Sequence, residues 1–581
     1  MSTNPADNDK RGGYVDVPRA PDDGVFEIGL VMAGAVSAGA YTAGVLDFLV
    51  EALDAWESAK AEEAAATKSS SRQWSIPGHS VRLRVVSGAS AGAMTGAIAA
   101  AALKYDFPHV RSATASSANP FYQAWVEDID ISRLLETRDL DGKSGPVVSV
   151  LDSTVLSEIL PKVLSFAASA TLTRPWVQSG VRYIFTQTNL RGVPYFLSMR
   201  GNTSGGLGMI AHADYQSFHV LYEGSALRPP RADDVLVTFP NSTDKLPWHA
   251  LGQAALASGA FPIGLAPRVI ERDATGFNYR FVVVPGQSNG PAQVAQLDPM
   301  WPQRKPPSPF RSVVVDGGTM NNEPLNLAHA ELAGLAGSNE RTGKLANRAL
   351  VLIDPFPDEA GSVDDPTRGQ SESIFGVGMA LLGAWKDQAR FDPEDLGLAD
   401  ADNVYSRFLI APSRGTSTIS NDFALASGAL GGFSGFLSRE YRNHDFLLGR
   451  RNCQQFLREH FCLPIDNEPV FGVVNNALTQ PGSKWIVPGS PACLPIIPLF
   501  GSAAEEQPLP DWPKGFFRPE LLTDLGTKRI GGVLDNVLRE SVKIDVLRRG
   551  LVKVGLVILR SVLVKKFIEM ITKSLAERGL A

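Results

Sequence analysis

The chain has 581 residues, 44% of them hydrophobic and 20% charged, with a formal net charge of −6. That length and apolar share suffice for a large core and more than one domain, and exclude a fibrous or wholly disordered chain. The acidic balance gives no reason to expect nucleic acid as a partner. Three cysteines (Cys453, Cys462 and Cys493) are too few for a disulfide framework and lack zinc spacing, so a reducing, cytoplasmic setting is expected.

Residues 1–24 are polar and have no apolar h-region, which predicts a disordered leader and no secretory signal. "VFEIGLVMAG" (25–34) reads as a buried strand entering a Gly/Ala turn, and the helix after it puts Val45, Leu46, Leu49 and Leu53 on one face. "SAKAEEAAATKSSSRQ" (58–73) is of low complexity and is expected to be a mobile loop. "VRLRVV" (81–86) is a strand, and a second helix follows Ser90 directly. Strand, helix, strand, helix over 25–105 predicts a parallel α/β sheet. More strands are expected at 181–190, 193–200, 277–285, 311–316 and 348–354. An acidic, breaker-rich stretch at 356–371 reads as a linker between a 25–355 domain and a mainly helical C-terminal domain over 372–581. No run of 18 uncharged apolar residues occurs, so no transmembrane helix is expected.

The chemistry is suggested by "GASAG", residues 88–92. A serine at a sharp strand-to-helix turn has its Oγ lifted out of the sheet, next to the positive end of the helix. Gly88 and Gly92 suit such an elbow, although a tight Gly-Ala-Ser turn alone explains them equally well. A nucleophilic serine needs a base, and the histidines offer none in a catalytic segment: His79 precedes the elbow strand in a loop, and His444 sits in a charge-rich helical stretch. "RSVVVDGG" places Asp316 after a buried strand and before Gly317 and Gly318. Strand C-termini of a parallel sheet collect along one edge, which would bring Ser90 and Asp316 together. The Gly/Ala-rich turn at 32–46 can offer backbone N–H groups to an oxyanion.

Four segments in order resemble the patatin-like phospholipase family: "AGAVSAGAYTAGVL", "GASAG", "AALASGAFPIGLAPRVI" and "DGGTMNNEPL", the last with Asn322 and Pro324 also fitting. The resemblance implies a patatin-like α/β sandwich and a Ser–Asp dyad working through an acyl-enzyme without metal or cofactor. In that scheme Ser90 is the nucleophile, Asp316 the base, and the loop Gly34, Ala35, Val36 and Ser37 the oxyanion hole. The implied substrate is a membrane lipid or another acyl ester. One departure matters: the family's glycine-rich loop has a glycine where Val36 stands and an arginine where Ala38 stands. A β-branched residue resists φ > 0. Two other readings therefore remain open, a lipid-binding protein with a degenerate loop and a soluble small-ester esterase.

Residues 541–581 carry nine Lys or Arg against three Asp or Glu, so the basic C-terminus is a candidate for peripheral contact with anionic membrane. An ordinary packed helix fits it slightly better. In the polar helix at 438–461, Arg442, Arg450 and Arg451 are read as a solvated or salt-bridged face more readily than as a phosphate site.

Overall fold

The computed structural model describes most of the chain from Arg11 to Ala581. Residues 1–10, 71–72, 113–117, 142–145, 166–169, 179, 199–205, 225–227, 240–245, 285–292, 302–304, nearly all of 358–403, 416–423, 475, 481, 488, 490 and 542–545 fall outside that description. Almost the whole expected linker lies among them.

In chain order the first half contains β1 (Val25–Met32), α1 (Gly39–Ser70), β2 (Ser80–Gly88), α2 (Ala91–Ala102), α3 (Thr154–Leu164), β3 (Val181–Ser198), β4 (Gly206–Leu221), β5 (Asp234–Thr238) and α4 (Leu246–Ser258). The second half adds β6 (Arg268–Arg272), β7 (Arg280–Val284), β8 (Gln293–Leu297), β9 (Phe310–Val315), α5 (Leu325–Leu332), β10 (Arg348–Ile353), β11 (Arg407–Ile410), α6 (Arg439–Glu459), α7 (Thr523–Ser541) and α8 (Val546–Glu577). The main sheet has nine strands in the order β11-β10-β1-β2-β3-β4-β5, with β9 joining β3 to β6. Strands β11 through β3 run parallel, while β4 and β9 are antiparallel to β3. The sheet is thus parallel-dominated but mixed. The β3–β4 connection spans only 199–205, too short for the crossover that a parallel pair requires.

Alternation along β1 sorts its side chains between two layers. Phe26, Ile28, Leu30 and Met32 enter the large core under α1, α2 and α6. Val31 joins Val85, Ile184 and Leu350 on the other face, beneath Ala328 and Leu332 of α5. Helices on both faces explain why these strands read as continuous apolar runs.

Three expectations change. The low-complexity stretch is the continuation of α1 as far as Ser70, because Ala, Glu and Lys are strong helix formers. From Arg11 the leader is packed: Tyr14 is buried with its hydroxyl on Asp233, and the carbonyls of Val15 and Asp16 accept from Leu335 and Ala336. The C-terminal region is largely helical as expected, yet among the described residues it has no separate core. Its β11 extends the main sheet, and Tyr441, Phe446, Leu448 and Phe456 of α6 lie in the same apolar cluster as β1.

The α1–α6 contact explains this fusion. A Cβ on Gly44 would overlap the Phe446 carbonyl, and one on Gly449 would overlap the Tyr41 carbonyl, so each helix approaches the other through a glycine. Arg450 is fully buried and pairs with Asp47 and Glu51 of α1, so at this residue the salt-bridged reading of the face holds and the solvated one does not. Arg442, also buried, donates to the carbonyls of Val126 and Gly435. Arg451 lies nearer the surface and pairs with Glu506. The stretch 36–69 is long and apolar enough to cross a bilayer, but 94% of its most apolar window is buried inside the protein.

Candidate active site

Between Gly88, the last residue of β2, and Ala91, the first of α2, the chain reverses within two residues. Ser90 takes φ 50°, ψ −119° to do so, a conformation that costs roughly 1–3 kcal/mol for a non-glycine residue. The flanking glycines are required by close approach. A Cβ on Gly92 would overlap the Met32 carbonyl, and one on Gly88 would stand 2.6 Å from the Gly92 backbone. The Ser90 N–H donates to Ser258 Oγ at 2.9 Å, which fixes the elbow to the end of α4.

Ser90 Oγ donates to Asp316 Oδ2 at 2.6 Å. Both residues are nearly buried, at 8% and 5% exposure, so little water competes for that bond. The other carboxylate oxygen accepts from the Gly318 N–H at 2.7 Å, and the Asp316 N–H donates to the Ala260 carbonyl at 2.9 Å. Thr188 Oγ donates to the Asp316 carbonyl at 2.8 Å. Cβ atoms on Gly317 and Gly318 would meet Thr186 and Asn322, so this turn is also closely packed.

The two residues meet by a route other than the expected parallel edge. β2 ends where Gly88 faces Phe185, and β3 continues past that point. β9 pairs antiparallel with the extension, Val315 opposite Thr188, so its last residues run back toward the end of β2.

The turn from β1 into α1 completes the site. A Cβ on Gly34 would stand 3.1 Å from Ser90 Cβ and would overlap Asn322, which places Gly34 against the serine. Its N–H is engaged by the Asn322 carbonyl at 3.2 Å, which removes it from the expected donors. Val36 holds φ 50° despite its branched side chain, and Ala35 is at φ −146°. The N–H groups of Val36 and Ala91 have no hydrogen-bond partner among the described residues. The side chain of Ser37, as distinct from its N–H, is engaged elsewhere. Its Oγ donates to the Gly432 carbonyl and accepts from the Gly435 N–H at 3.0 Å.

His79 is buried against Trp56 and Phe471, with Nε2 on the Ile496 carbonyl; burial, with help from Lys60, pushes its pKa down to about 4. His444 pairs with Asp445 and Arg414 inside the helical region. Both act in packing. No group of three or more His, Cys, Asp or Glu suited to a metal ion occurs among the described residues. The three cysteines are free and buried.

Behind the serine, one turn along α2, lies an apolar crevice lined by Met94, Ile98, Trp125, Ile159, Leu160 and Leu256, with about 30 Å³ of free volume. Sequence reading missed Ser258 as a site residue, and named Ser37 only for its backbone and not for its side chain. Ser258 lies in a segment whose family likeness was visible, whereas the partners of Ser37 are almost 400 residues away and left no local signal.

The family model described as "Patatin-like phospholipase" matches residues 30–329 and so spans both halves of this site. The chain is 35% identical over 540 residues to "Uncharacterized protein y4iI" of Sinorhizobium fredii (strain NBRC 101917 / NGR234), an alignment covering 84% of this chain and 72% of that protein. A solved structure, "Crystal structure of VipD from Legionella pneumophila", aligns over 74% of this chain and 71% of its own, at 13% identity. Its TM-score of 0.22 is too low to bear on the fold.

Proposed function

The chain belongs to the patatin-like phospholipase family, and from that premise we propose that it hydrolyses carboxylic esters of lipids through Ser90 and Asp316. One observation carries the reading: a serine held at φ 50° on a strand-to-helix turn, its hydroxyl 2.6 Å from a buried carboxylate.

In the proposed reaction Asp316 takes the proton from Ser90 Oγ as the oxygen attacks the ester carbonyl carbon. The N–H groups of Val36 and Ala91, both without a partner among the described residues, are the candidate donors to the oxyanion. Collapse of the tetrahedral intermediate breaks the ester C–O bond, and the departing alkoxide recovers the proton from Asp316. Water then attacks the acyl-enzyme, passes a proton to Asp316, and releases the fatty acid as Ser90 is reprotonated. The apolar crevice beside Met94 is the candidate acyl site. With about 30 Å³ free it admits a chain only if side chains such as Met94 and Leu160 swing aside.

Access to a lipid surface is assigned to α8. Leu559, Leu563 and Met570 are exposed and share one face with Lys566 and Lys573, at spacings of three and four residues. Its opposite face buries Val564, Ile571 and Leu575. Exposed aliphatics interleaved with lysines suit an anionic interface.

The test is intact mass after treatment with a lipid-like fluorophosphonate, alongside Ser90→Ala, followed by turnover on phospholipid vesicles and on short-chain esters. One adduct that vanishes in the variant, with faster turnover on vesicles, is the expected result. No adduct on folded protein would overturn the reading, and preference for short esters would replace its substrate class.

A further inference from the structure

Val36 is placed where a valine should not rest. Of four non-glycine residues with positive φ among the described residues, two are Val36 and Ser90, and a third, Leu430, lies in the segment packed over Val36. That segment, 426–436, belongs to the C-terminal region. Its Gly432 takes φ 91°, and a Cβ there would lie 3.4 Å from Val36 Cβ and 3.5 Å from the Ala35 carbonyl oxygen. Gly435 approaches so closely that a Cβ would stand 2.9 Å from Ser37 Cβ. Between them Ser37 Oγ makes both of its bonds, to the Gly432 carbonyl and from the Gly435 N–H.

The segment is itself held from behind. Asp445 accepts from the N–H groups of Ala426 and Ser427 at 2.9 Å each, Ser434 Oγ donates to the Ala426 carbonyl at 2.9 Å, and Arg442 donates to the Gly435 carbonyl at 2.7 Å. Ser574 of α8 accepts from the Leu430 N–H at 3.2 Å. Asp445 and Arg442 are buried in α6, the helix that crosses α1 through paired glycines. A chain of buried contacts therefore runs from the α1–α6 core to the strained turn.

We propose that residues 432–435 form a brace that holds the 34–37 turn in its positive-φ form, and that Ser37 is a positioning residue for the Val36 N–H. A valine released from such a restraint leaves the left-handed region almost always, which redirects its N–H within the turn whose Gly34 lies against Ser90. The site inside the family domain then depends on backbone supplied by the C-terminal region. The catalytic consequence rests on the hydrolase reading above; the holding of the turn does not.

The experiment measures fluorophosphonate adduct formation on the full chain as rate against probe concentration, for wild type, Ser37→Ala and the near-isosteric Ser37→Cys. Each is made with Val36 retained and with Val36→Gly, and amide exchange over 33–41 is read on the same samples. Ser37→Cys keeps the packing while weakening both bonds, which covers the case in which Ser37→Ala fails to fold. With Val36 retained, the brace predicts a maximal rate lower by roughly tenfold or more at unchanged half-saturation, because the competent fraction of turns falls. Combined with Val36→Gly, the same Ser37 changes should cost only about twofold, since glycine populates both signs of φ about equally. Exchange at 36–38 should quicken in both Ser37 variants. Unchanged rates, a loss of equal size in both backgrounds, or unchanged exchange would each overturn the brace. A wild type that forms no adduct would sink the hydrolase reading instead, and the exchange data would still decide whether 432–435 holds the turn.

Discussion

Val36 and Ser90, on successive strand-to-helix turns of one sheet, hold the same left-handed φ of 50°. Strain of this kind persists only where the surroundings over-determine it, and it gathers at sites whose geometry is used. A proline cannot reach positive φ. Val36→Pro is therefore expected to cost on the order of 100- to 1000-fold in kcat, the scale of one lost oxyanion donor. Circular dichroism and adduct formation on the purified variant check the fold and the loss together.

Asp316 accepts from Ser90 Oγ on one oxygen and from the Gly318 N–H on the other. Asp316→Asn keeps the shape of the side chain but removes the basic oxygen. A kcat lower by about 10²–10⁴-fold with KM nearly unchanged is expected, as for loss of a general base. Esterase kinetics at fixed pH measure it, and wild-type turnover in this variant would dismiss Asp316 as the base.

Ser258 holds the Ser90 N–H from the end of α4, fully buried. Ser258→Ala leaves that donor without an acceptor, at about 1–3 kcal/mol of stability. Chemical denaturation should show the loss, and the freed elbow should lower kcat more than it raises KM.

The α1–α6 crossing leaves no room for a methyl group at Gly44 or Gly449. Here the obstacle is a backbone carbonyl, which cannot swing aside. Gly44→Ala and Gly449→Ala are each expected to destabilise by roughly 1–3 kcal/mol through overpacking, read as a lower urea midpoint. Because the two sites meet across one contact, the double variant should fall short of the sum.

Acid stability should decline in two stages. Burial holds the His79 pKa at about 4, below its ordinary 6.5, so unfolded chains take up a proton that the native state refuses. Its contribution is complete above about pH 6.5 and is lost as pH falls toward 4. Glu331 is desolvated, which alone would raise its pKa, but Arg182, Arg231, Arg228 and Arg84 outweigh that and bring it to about 2. Its contribution is present above pH 4.5 and is lost as pH falls toward 2. Urea midpoints across this range test both, and His79→Phe, which can keep the contacts to Trp56 and Phe471, should flatten only the upper stage.

What was legible in the sequence is what local chemistry writes into a short window. Ser90 between Gly88 and Gly92, and Asp316 before Gly317 and Gly318, are patterns of a few residues each, and both turn out to sit where backbone approaches backbone. Val36 was legible as an anomaly, and the anomaly is real: the turn does take positive φ. Three other readings were incomplete for one reason. Arg450 was left between a solvated and a salt-bridged face, and the partners that decide for the second, Asp47 and Glu51, lie about 400 positions earlier in the chain. Tyr14 looked like part of a loose leader, yet Asp233 completes it. Ser37 was read for its backbone in the oxyanion loop, and the two bonds that Gly432 and Gly435 give its side chain left no local sign. Each depends on a pairing across the fold that no local window contains.

The placement of β11 has a consequence for how the chain is made. β1 is synthesised well before β10, its flank is filled only by β10, and β10 is covered only when residues 407–410 have been made. The helix that closes the opposite layer comes later still, at 439–459. A nascent or truncated chain ending near residue 355 would display an open strand edge and the apolar flank of α1 together, a surface prone to association. Fragments cut at the family boundary should therefore aggregate or recruit chaperones, and the smallest piece expected to fold alone extends past α6.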